Sequence, residues 1–533
     1  MNYNFEHYKR RYERAKSRQN LWLTQLYDAY DYTMPQRNAW DVRYSPGRQK
    51  GAQIYDTTAV YAVKAAVSKL QNSLTPPSQK WMSLKSGSQF NEMQADEVDR
   101  DLQKVSDLLF QKLHATNFDL AINESYYDLL VGTSALLVNE MPGTLRPFHF
   151  EVVPLFFLYP EEGPYGTVET VFRDIWELPI SAVVQEWPDV KLPDTLQQKL
   201  RDNPSSLINL VEGTVYDFDK KTYHQVLWSS ETNELMRDVE TKSSPWIVYR
   251  WAKNPTEVLG RGPILEVLPS VKSINELARN DLIAAGFAAQ GAYMGFSDGV
   301  FNPFNARLEP GAVLAINQAS AATPPLQPIP QAGDMQRVQM TYAYLQEQIN
   351  NLLFAQPLGS VENVKNRSAT EMMLRQQNLQ EIIGPAFARY QVEALMPLTR
   401  RLLFIMRKKG MVPNFEVDGQ EVTIEFNSPL AQSQQLQDAL AIQQMASALA
   451  ALVGPEAAMN SFNIELIPEG LAKGLNVPLK YVKSPGQIET QMSEAREIMK
   501  QQQEQQGAPP TFGQQQAGIP ASEQEQLLKA EGV

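Results

Sequence analysis

No cysteine occurs in the 533 residues, which excludes disulfides, thiolate metal sites and thiol nucleophiles together. Histidine is nearly as scarce: His7, His114, His149 and His224 are the four. None stands at a spacing suited to metal binding or general-base chemistry. His114 falls near a predicted helix end, where it can interact with the helix dipole. Long apolar runs are missing too. The nearest approach, Leu282–Phe296, is interrupted by Gln290 and rich in alanine and glycine, so no segment reads as a membrane insertion. The opening residues, MNYNFEHYKRRYERAKSRQN, are charged and carry no apolar h-region; the expectation is a soluble protein made in a cytoplasm.

Nucleotide-binding loops are absent as well. There is no GxxxxGK[ST], and Gly260-Arg261-Gly262 runs directly into Pro263, which removes an N–H that a phosphate-cradling loop would use. The acid pairs Asp96/Glu97 and Glu161/Glu162 read as solvated faces rather than a metal-nuclease centre. No catalytic residue, metal ligand or cofactor is assigned, and the chain is not expected to be an enzyme.

What is present belongs to a globular protein. Apolar residues make up 43% and aromatics 9%, well above the disordered class, and the length allows two to four compact units. The net charge is −12 and the pI about 5.1. Such a balance repels DNA phosphates except where lysine or arginine is locally placed. It serves solubility, or a surface along which DNA slides without sticking; charge leaves both open.

Helix-rich and strand-rich stretches are segregated, which indicates α+β, mainly helical, rather than repeated βαβ units. The amino-terminal part is helical. A second helix, capped by Asp56 or Thr57, buries Val60, Val63, Val67, Leu70 and Leu74 and stops at Pro76-Pro77. Helices follow through Val98–Leu113 and from Asn117 to Gly132. From about Ala135 to Trp251, β-branched and aromatic runs between turn residues predict an antiparallel sheet. Gly260-Arg261-Gly262-Pro263 permits a sharp turn into a short helix, Ile264–Leu268, and Pro269 opens a longer one to about Gln290. Within it Val271, Ile274, Leu277 (or Ala278) and Leu282 form a stripe. A proline-rich unit, with strand-like pieces at AYMGF and AVLAI, precedes a second amphipathic helix. There Asp334 is the expected cap, and Val338, Tyr342, Leu345, Ile349 and Leu352 share a face.

A polar loop, Gln356–Arg367, leads to Ser368-Ala369-Thr370-Glu371, a capping box. The helix it opens is long, reaching Lys408-Lys409-Gly410, and is expected to kink near Gly384-Pro385. A strand pair, Asn414–Val417 with Glu421–Phe426, is expected next, then helices over Gln432–Leu452 and Ile488–Gln506 and a mobile Gln/Pro-rich tail. Taken alone, this order is also that of a helical hairpin with a decorated tip.

Two stretches carry more. LGRGPILEVLPSVKSINEL at Leu259–Leu277 and RSATEMMLRQQNLQEIIGPAFARYQVEALMPLTRRLL at Arg367–Leu403 occur in order, after an opening RYERAKSRQNLWLTQLYDAYDYTMP and a Trp81-containing segment following Pro77. In these the chain resembles the portal, or head-to-tail connector, proteins of short-tailed bacteriophages. The resemblance implies a phage portal fold with wing, stem, clip and crown regions, assembling as a dodecameric ring at one capsid vertex. Residues 1–260 would be the wing, and 261–290 a descending stem helix started by Gly262, Pro263 and Pro269. Residues 291–333 would be the clip, 334–354 the ascending stem helix, and 355–367 the tunnel loop. The kinked wing helix and following helices would span 368–460, capped by Ser368 and Glu371 and bent at Gly384 and Pro385. Crown and tail would take 461–533.

Asn363, Lys365, Asn366 and Arg367 would face double-stranded DNA passing through the channel. The implied partners are other copies of the chain, the major capsid protein, scaffolding or internal core proteins, a terminase motor and a tail adaptor. Pro269 in the stem approach and the long proline-rich clip tail depart from the usual pattern. A structural tail adaptor or scaffold from another assembly, also acidic, helical and without enzyme motifs, is the alternative.

Overall fold

The computed structural model describes residues 4–37, 50–77, 79–90, 92–290, 293–295, 326–328, 335–355, 384–415, 421–426, 444–449 and 451–452. The chain divides into two compact units, Met1–Leu430 and Ala431–Val533. Of the second, residues 444–449 and 451–452 are described, and they are helical; the expected helix Ile488–Gln506 and the tail lie outside the described residues.

Helices α1 (Phe5–Asn20), α2 (Leu23–Thr33) and α3 (Thr58–Leu74) lead to strand β1 (Met82–Ser86), then to α4 (Glu92–His114) and α5 (Phe118–Val131). Of the two expected caps for α3, Thr57 stands at the cap position, and Asp56 just before it supplies the side-chain acceptor, its Oδ1 taking the Thr58 N–H at 2.9 Å. Val63, Val67, Leu70 and Leu74 are buried along its inner stripe. The helix ends before Pro76, since the residue preceding a proline avoids helical geometry.

Strands β2 (Thr133–Glu140) and β3 (Phe148–Val152) precede a meander of β4 (Leu158–Glu162) and β5 (Val168–Pro179). Helices α6 (Ile180–Glu186) and α7 (Asp194–Asp202) follow, then β6 (Leu207–Asp217), β7 (Thr222–Ser229), β8 (Leu235–Thr241) and β9 (Trp246–Arg250). They form a three-stranded sheet, β3-β2-β9, and a five-stranded one, β4-β5-β6-β7-β8, antiparallel throughout. The sheet expected between Ala135 and Trp251 is thus two sheets, interrupted by helices that the residue pattern does not announce. Helices of seven and nine residues are too short to establish a 3.6-residue period against flanking strands.

Alternation along the strands gives the five-stranded sheet two apolar faces. On one, Ile208, Leu210, Leu227 and Met236 pack against Ile180, Val183, Trp187 and Leu196 of the α6–α7 region. On the other, Phe172, Val211, Val215, Val226 and Trp228 receive Tyr8, Tyr12 and Ala15 of α1. Polar contacts hold α1 in place. Arg11 pairs with Glu161 at 2.6 Å, Lys16 with Asp174 at 2.8 Å, and the Tyr12 hydroxyl donates to Asp174 at 2.6 Å.

The third stretch contains α8 (Pro263–Gln290), β10 (Tyr293–Gly295), β11 (Leu326–Pro328) and α9 (Met335–Leu352). β10, within the expected AYMGF piece, pairs antiparallel with β11; AVLAI and Asp334 lie outside the described residues. Pro269 does not divide α8, contrary to expectation: one helix of 28 residues runs through it. Pro269 sits on the exposed side, so the Leu265 carbonyl it leaves without a donor faces the same way. Burial of Ile264, Val267, Val271 and Ile274 holds the helix on both sides of the proline, and packing of an apolar face outweighs local propensity.

Residues 384–390 are helical, followed by a π-helical segment, Gln391–Leu395, α10 (Met396–Lys408) and β12 (Val422–Phe426). Of the strand pair expected within 414–426, Glu421–Phe426 contains a strand, while 416 and 417 lie outside the described residues. β12 pairs with β1, Met82 opposite Phe426 and Ser86 opposite Val422, while residues 414 and 415 belong to no strand. β1 is protected on its other side by α4, where Ser106 Oγ accepts the Leu84 N–H at 3.0 Å and Asp99 Oδ1 accepts that of Ser86 at 2.5 Å.

Candidate functional site: the glycine crossing, the arginine junction and the paired long helices

The entrance to α8 is a crossing of backbones. The Gly262 N–H donates to the Val131 carbonyl at 2.9 Å, the Arg261 N–H to that of Ala252 at 2.9 Å, and the Trp251 N–H to that of Gly132 at 2.9 Å. The Gly260 N–H donates to Thr133 Oγ1 at 2.7 Å. A Cβ on Gly262 would lie 2.2 Å from the Leu130 carbonyl oxygen, and one on Gly260 would lie 2.4 Å from that of Gly132. These glycines are therefore required for space. Of the group, Gly132 alone has a positive φ, +149°. Arg261 projects from the crossing over the Trp22 ring, 4.7 Å from its centroid, and pairs with Glu257 at 2.7 Å, which holds that carboxyl below its ordinary range.

Beside this crossing, Arg250 at the end of β9 is 1% exposed. Its Nη2 donates to Glu393 Oε1 at 2.7 Å and to the Gly166 carbonyl at 2.8 Å. Its Nη1 donates to Glu162 Oε1 at 3.1 Å and to the Val258 carbonyl at 3.3 Å. Burial alone would lower the guanidinium pKa, but the Glu393 and Glu162 carboxylates raise it. Burial likewise works to raise the Glu162 pKa, and the hydrogen bonds from Lys253 and Arg250 carry it below the usual range. One side chain thus ties the three-stranded sheet to the β4–β5 turn and to the π segment.

The π segment has a cause in the sequence. Pro397 has no N–H to offer the Glu393 carbonyl one turn earlier, and its ring crowds that carbonyl; a widened turn just before a proline relieves both. Glu393, inside it, also accepts from Arg389 at 3.0 Å. One residue before the segment, the Tyr390 hydroxyl lies 2.9 Å from that of Tyr126, which lies 2.7 Å from Thr75 Oγ1. The helix is thereby fastened to α3 and α5.

α8 and α9 pack side by side at their body ends. Val271, Ile274, Ala278, Ile349 and Leu353 are buried, and Ser270 Oγ donates to Gln348 Oε1 at 3.0 Å. Asn275 Oδ1 accepts the Tyr55 N–H at 2.7 Å, and its Nδ2 donates to the Gln53 carbonyl at 2.9 Å. The Tyr342 hydroxyl donates to the Asp56 carboxylate; burial and that carboxylate push its pKa up to about 12. Away from this end the apolar residues lose their cover. Leu282 is 59% exposed, Met340 75% and Tyr344 64%.

Of the residues singled out in the sequence, the structure brings Gly262 and Pro263 to the crossing and places Pro269 inside α8. Gly384 and Pro385 open the helical stretch that carries Tyr390 and Glu393; the expected bend there falls at the edge of the described residues. Asn363, Lys365, Asn366, Arg367, Ser368 and Glu371 lie outside them. Arg250, Glu393 and Gly132 were missed. The available signal was an arginine ending the apolar run WIVYR. Among the described residues, no group of three or more acidic, histidine or cysteine side chains could hold a metal, and no helix is long and apolar enough to cross a membrane.

Comparison with known proteins agrees with the sequence resemblance. The probable portal protein of Bordetella phage BPP-1 is 20% identical over 475 residues, 83% of this chain and 82% of that one. The portal protein of Salmonella phage epsilon15 is 23% identical over 414 residues, 72% of each chain. A solved structure, the neck of an empty GTA particle computed with C6 symmetry, matches at 12% identity over 73% of this chain and 86% of that one, with a TM-score of 0.34. The sequence profile of the bacteriophage head to tail connecting proteins matches residues 6–482, and the chain belongs to that family.

Proposed function

We propose that the chain is a portal subunit that closes into a dodecameric ring at one capsid vertex, where double-stranded DNA is packaged and ejected and the tail attaches. The observation that carries this is the α8–α9 pair. Its body ends are buried within the subunit, while Leu282, Ile283, Met340 and Tyr344 are exposed on the remainder. Repeating one such contact around an axis forms a ring, because a heterologous interface closes when its rotation divides a full turn.

In this assignment residues 1–260 and 368–460 build the wing, α8 and α9 the stem, 291–333 the clip and 461–533 the crown. Residues 355–367 form the loop that meets DNA, with Asn363, Lys365, Asn366 and Arg367 at the bore. The formal charge of −12 per subunit, multiplied around the ring, keeps phosphates from adhering. The protein is a passive conduit; a terminase motor supplies the energy, and a tail adaptor, the major capsid protein and scaffolding or internal core proteins dock on its other faces. Its place is the head–tail junction of the virion, after synthesis in the host cytoplasm.

Electron micrographs of the purified protein provide the test. A closed ring with twelve-fold symmetry and a hole one duplex wide is expected. A monomer at all concentrations, or an open filament, overturns the proposal in favour of a different structural adaptor.

A further inference from the structure

The carboxyl-terminal end of α10 is more basic than a helix end requires. From Met396 to Gly410 the chain has Arg400, Arg401, Arg407, Lys408 and Lys409 and no acid, in a protein of net charge −12. One or two cations would complement the helix dipole. Several of these instead gather on the β2–β3 hairpin, whose loop is closed by the Met141 N–H donating to the Pro147 carbonyl at 3.0 Å.

Among the described residues, Lys408 and Lys409 differ in how their charge is met. Lys408 pairs with Glu140 at 2.9 Å. Lys409 Nζ donates to the Met141 carbonyl and, at 2.8 Å, to that of Gly143; carbonyls satisfy its hydrogens and leave its charge. Arg401 is 6% exposed and donates to the Ser243 and Val138 carbonyls at 3.2 and 3.4 Å. Its buried Nε has no hydrogen-bond partner. Arg146 stands exposed in the same loop. Glu140 is the one carboxylate paired with this group among the described residues. The same loop carries two exposed apolar side chains, Leu145 at 76% and Met141 at 40%.

We propose that this hairpin and helix end, with Arg146, Lys408 and Lys409 around Leu145 and Met141, is a docking surface for an acidic, amphipathic protein segment. Charge complementarity selects an acidic partner. The apolar pair at the hairpin decides its class. Leu145 and Met141 supply the desolvated centre that protein recognition uses inside a charged rim, whereas phosphate contacts come from cations and polar groups. The proposal concerns the subunit's own surface and stands apart from the ring.

The test uses the intact protein and fluorescence anisotropy with three labelled probes: an acidic peptide with leucine at helical spacing, polyglutamate of equal charge, and a short DNA duplex. The leucine-bearing peptide is expected to bind tightest. Charge reversal in Arg146→Glu/Lys409→Glu should weaken it by about tenfold or more, and Leu145→Ser by about tenfold, a difference of about 1.4 kcal/mol, with unchanged thermal unfolding. If the double variant does not fold, Arg146→Glu alone, in the exposed loop, carries the charge test. Failure of the peptide to bind, equal binding of polyglutamate with no effect of Leu145→Ser, or tighter binding of the duplex overturns the proposal.

Discussion

Arg250 reaches Glu393 through its backbone N–H at 3.0 Å, its Nε at 3.2 Å and its Nη2 at 2.7 Å, so a single carboxylate of the π segment holds the end of β9. Glu393→Ala leaves the buried guanidinium with Glu162 as its remaining carboxylate partner. Breaking a buried pair by removing one member costs about 3–5 kcal/mol, and the surviving contact places this case at about 3 kcal/mol. Urea unfolding measures it. A loss below about 1 kcal/mol would show that Glu393 does not hold the junction.

The glycine crossing makes a paired prediction. Gly262→Ala puts a methyl group against the Leu130 carbonyl, backbone against which nothing flexible can yield, and should cost more than about 4 kcal/mol or prevent folding. Gly286→Ala, with nothing within 4 Å of its Cβ and inside α8, should stabilise the subunit by about 0.8–1 kcal/mol. Thermal unfolding of both variants, moving in opposite directions, is the expected result.

Asp128 supplies the pH dependence. It is 1% exposed, accepts from the Tyr30 hydroxyl at 2.6 Å, and burial raises its pKa above the ordinary carboxylate range. Its folded pKa exceeds the unfolded value, so between the two the folded state binds more protons and stability falls as pH rises. Asp128→Asn removes that slope and keeps an oxygen for Tyr30. Urea midpoints from pH 4 upward should show the wild type losing stability relative to the variant; parallel curves would contradict it.

On the outer parts of the long helices, Leu282→Glu should leave subunit stability within about 0.5 kcal/mol, as for most exposed substitutions. It should abolish the ring if that face is the contact between copies. Sedimentation and circular dichroism separate the two effects, and a normal ring in the variant would remove α8 from the interface.

Deleting 358–366 should leave the ring assembled and impair packaging, scored as DNA-filled particles. Loss of assembly in the deletion would reassign those residues from DNA contact to subunit contact.

Much of this architecture was legible from local pattern. The α3 stripe and the segregation of helix from strand follow from side-chain periodicity, which acts over a few residues. Family membership was legible too, because the Leu259–Leu277 and Arg367–Leu403 stretches occur together and in order. The glycines of the first stretch were expected to permit a turn. Their use is to let two backbones touch, and the second backbone, 130–133, is more than a hundred residues away.

Length, acidity, the absence of cysteine and of nucleotide loops, and the order of helical and strand-rich stretches were set by the sequence itself. Tertiary structure decided the rest. It joined β12 to β1, more than three hundred residues earlier, carried α8 through Pro269, and buried Arg250 against Glu393. Each depends on a partner far along the chain, whose contribution exceeds the local preference it overrides.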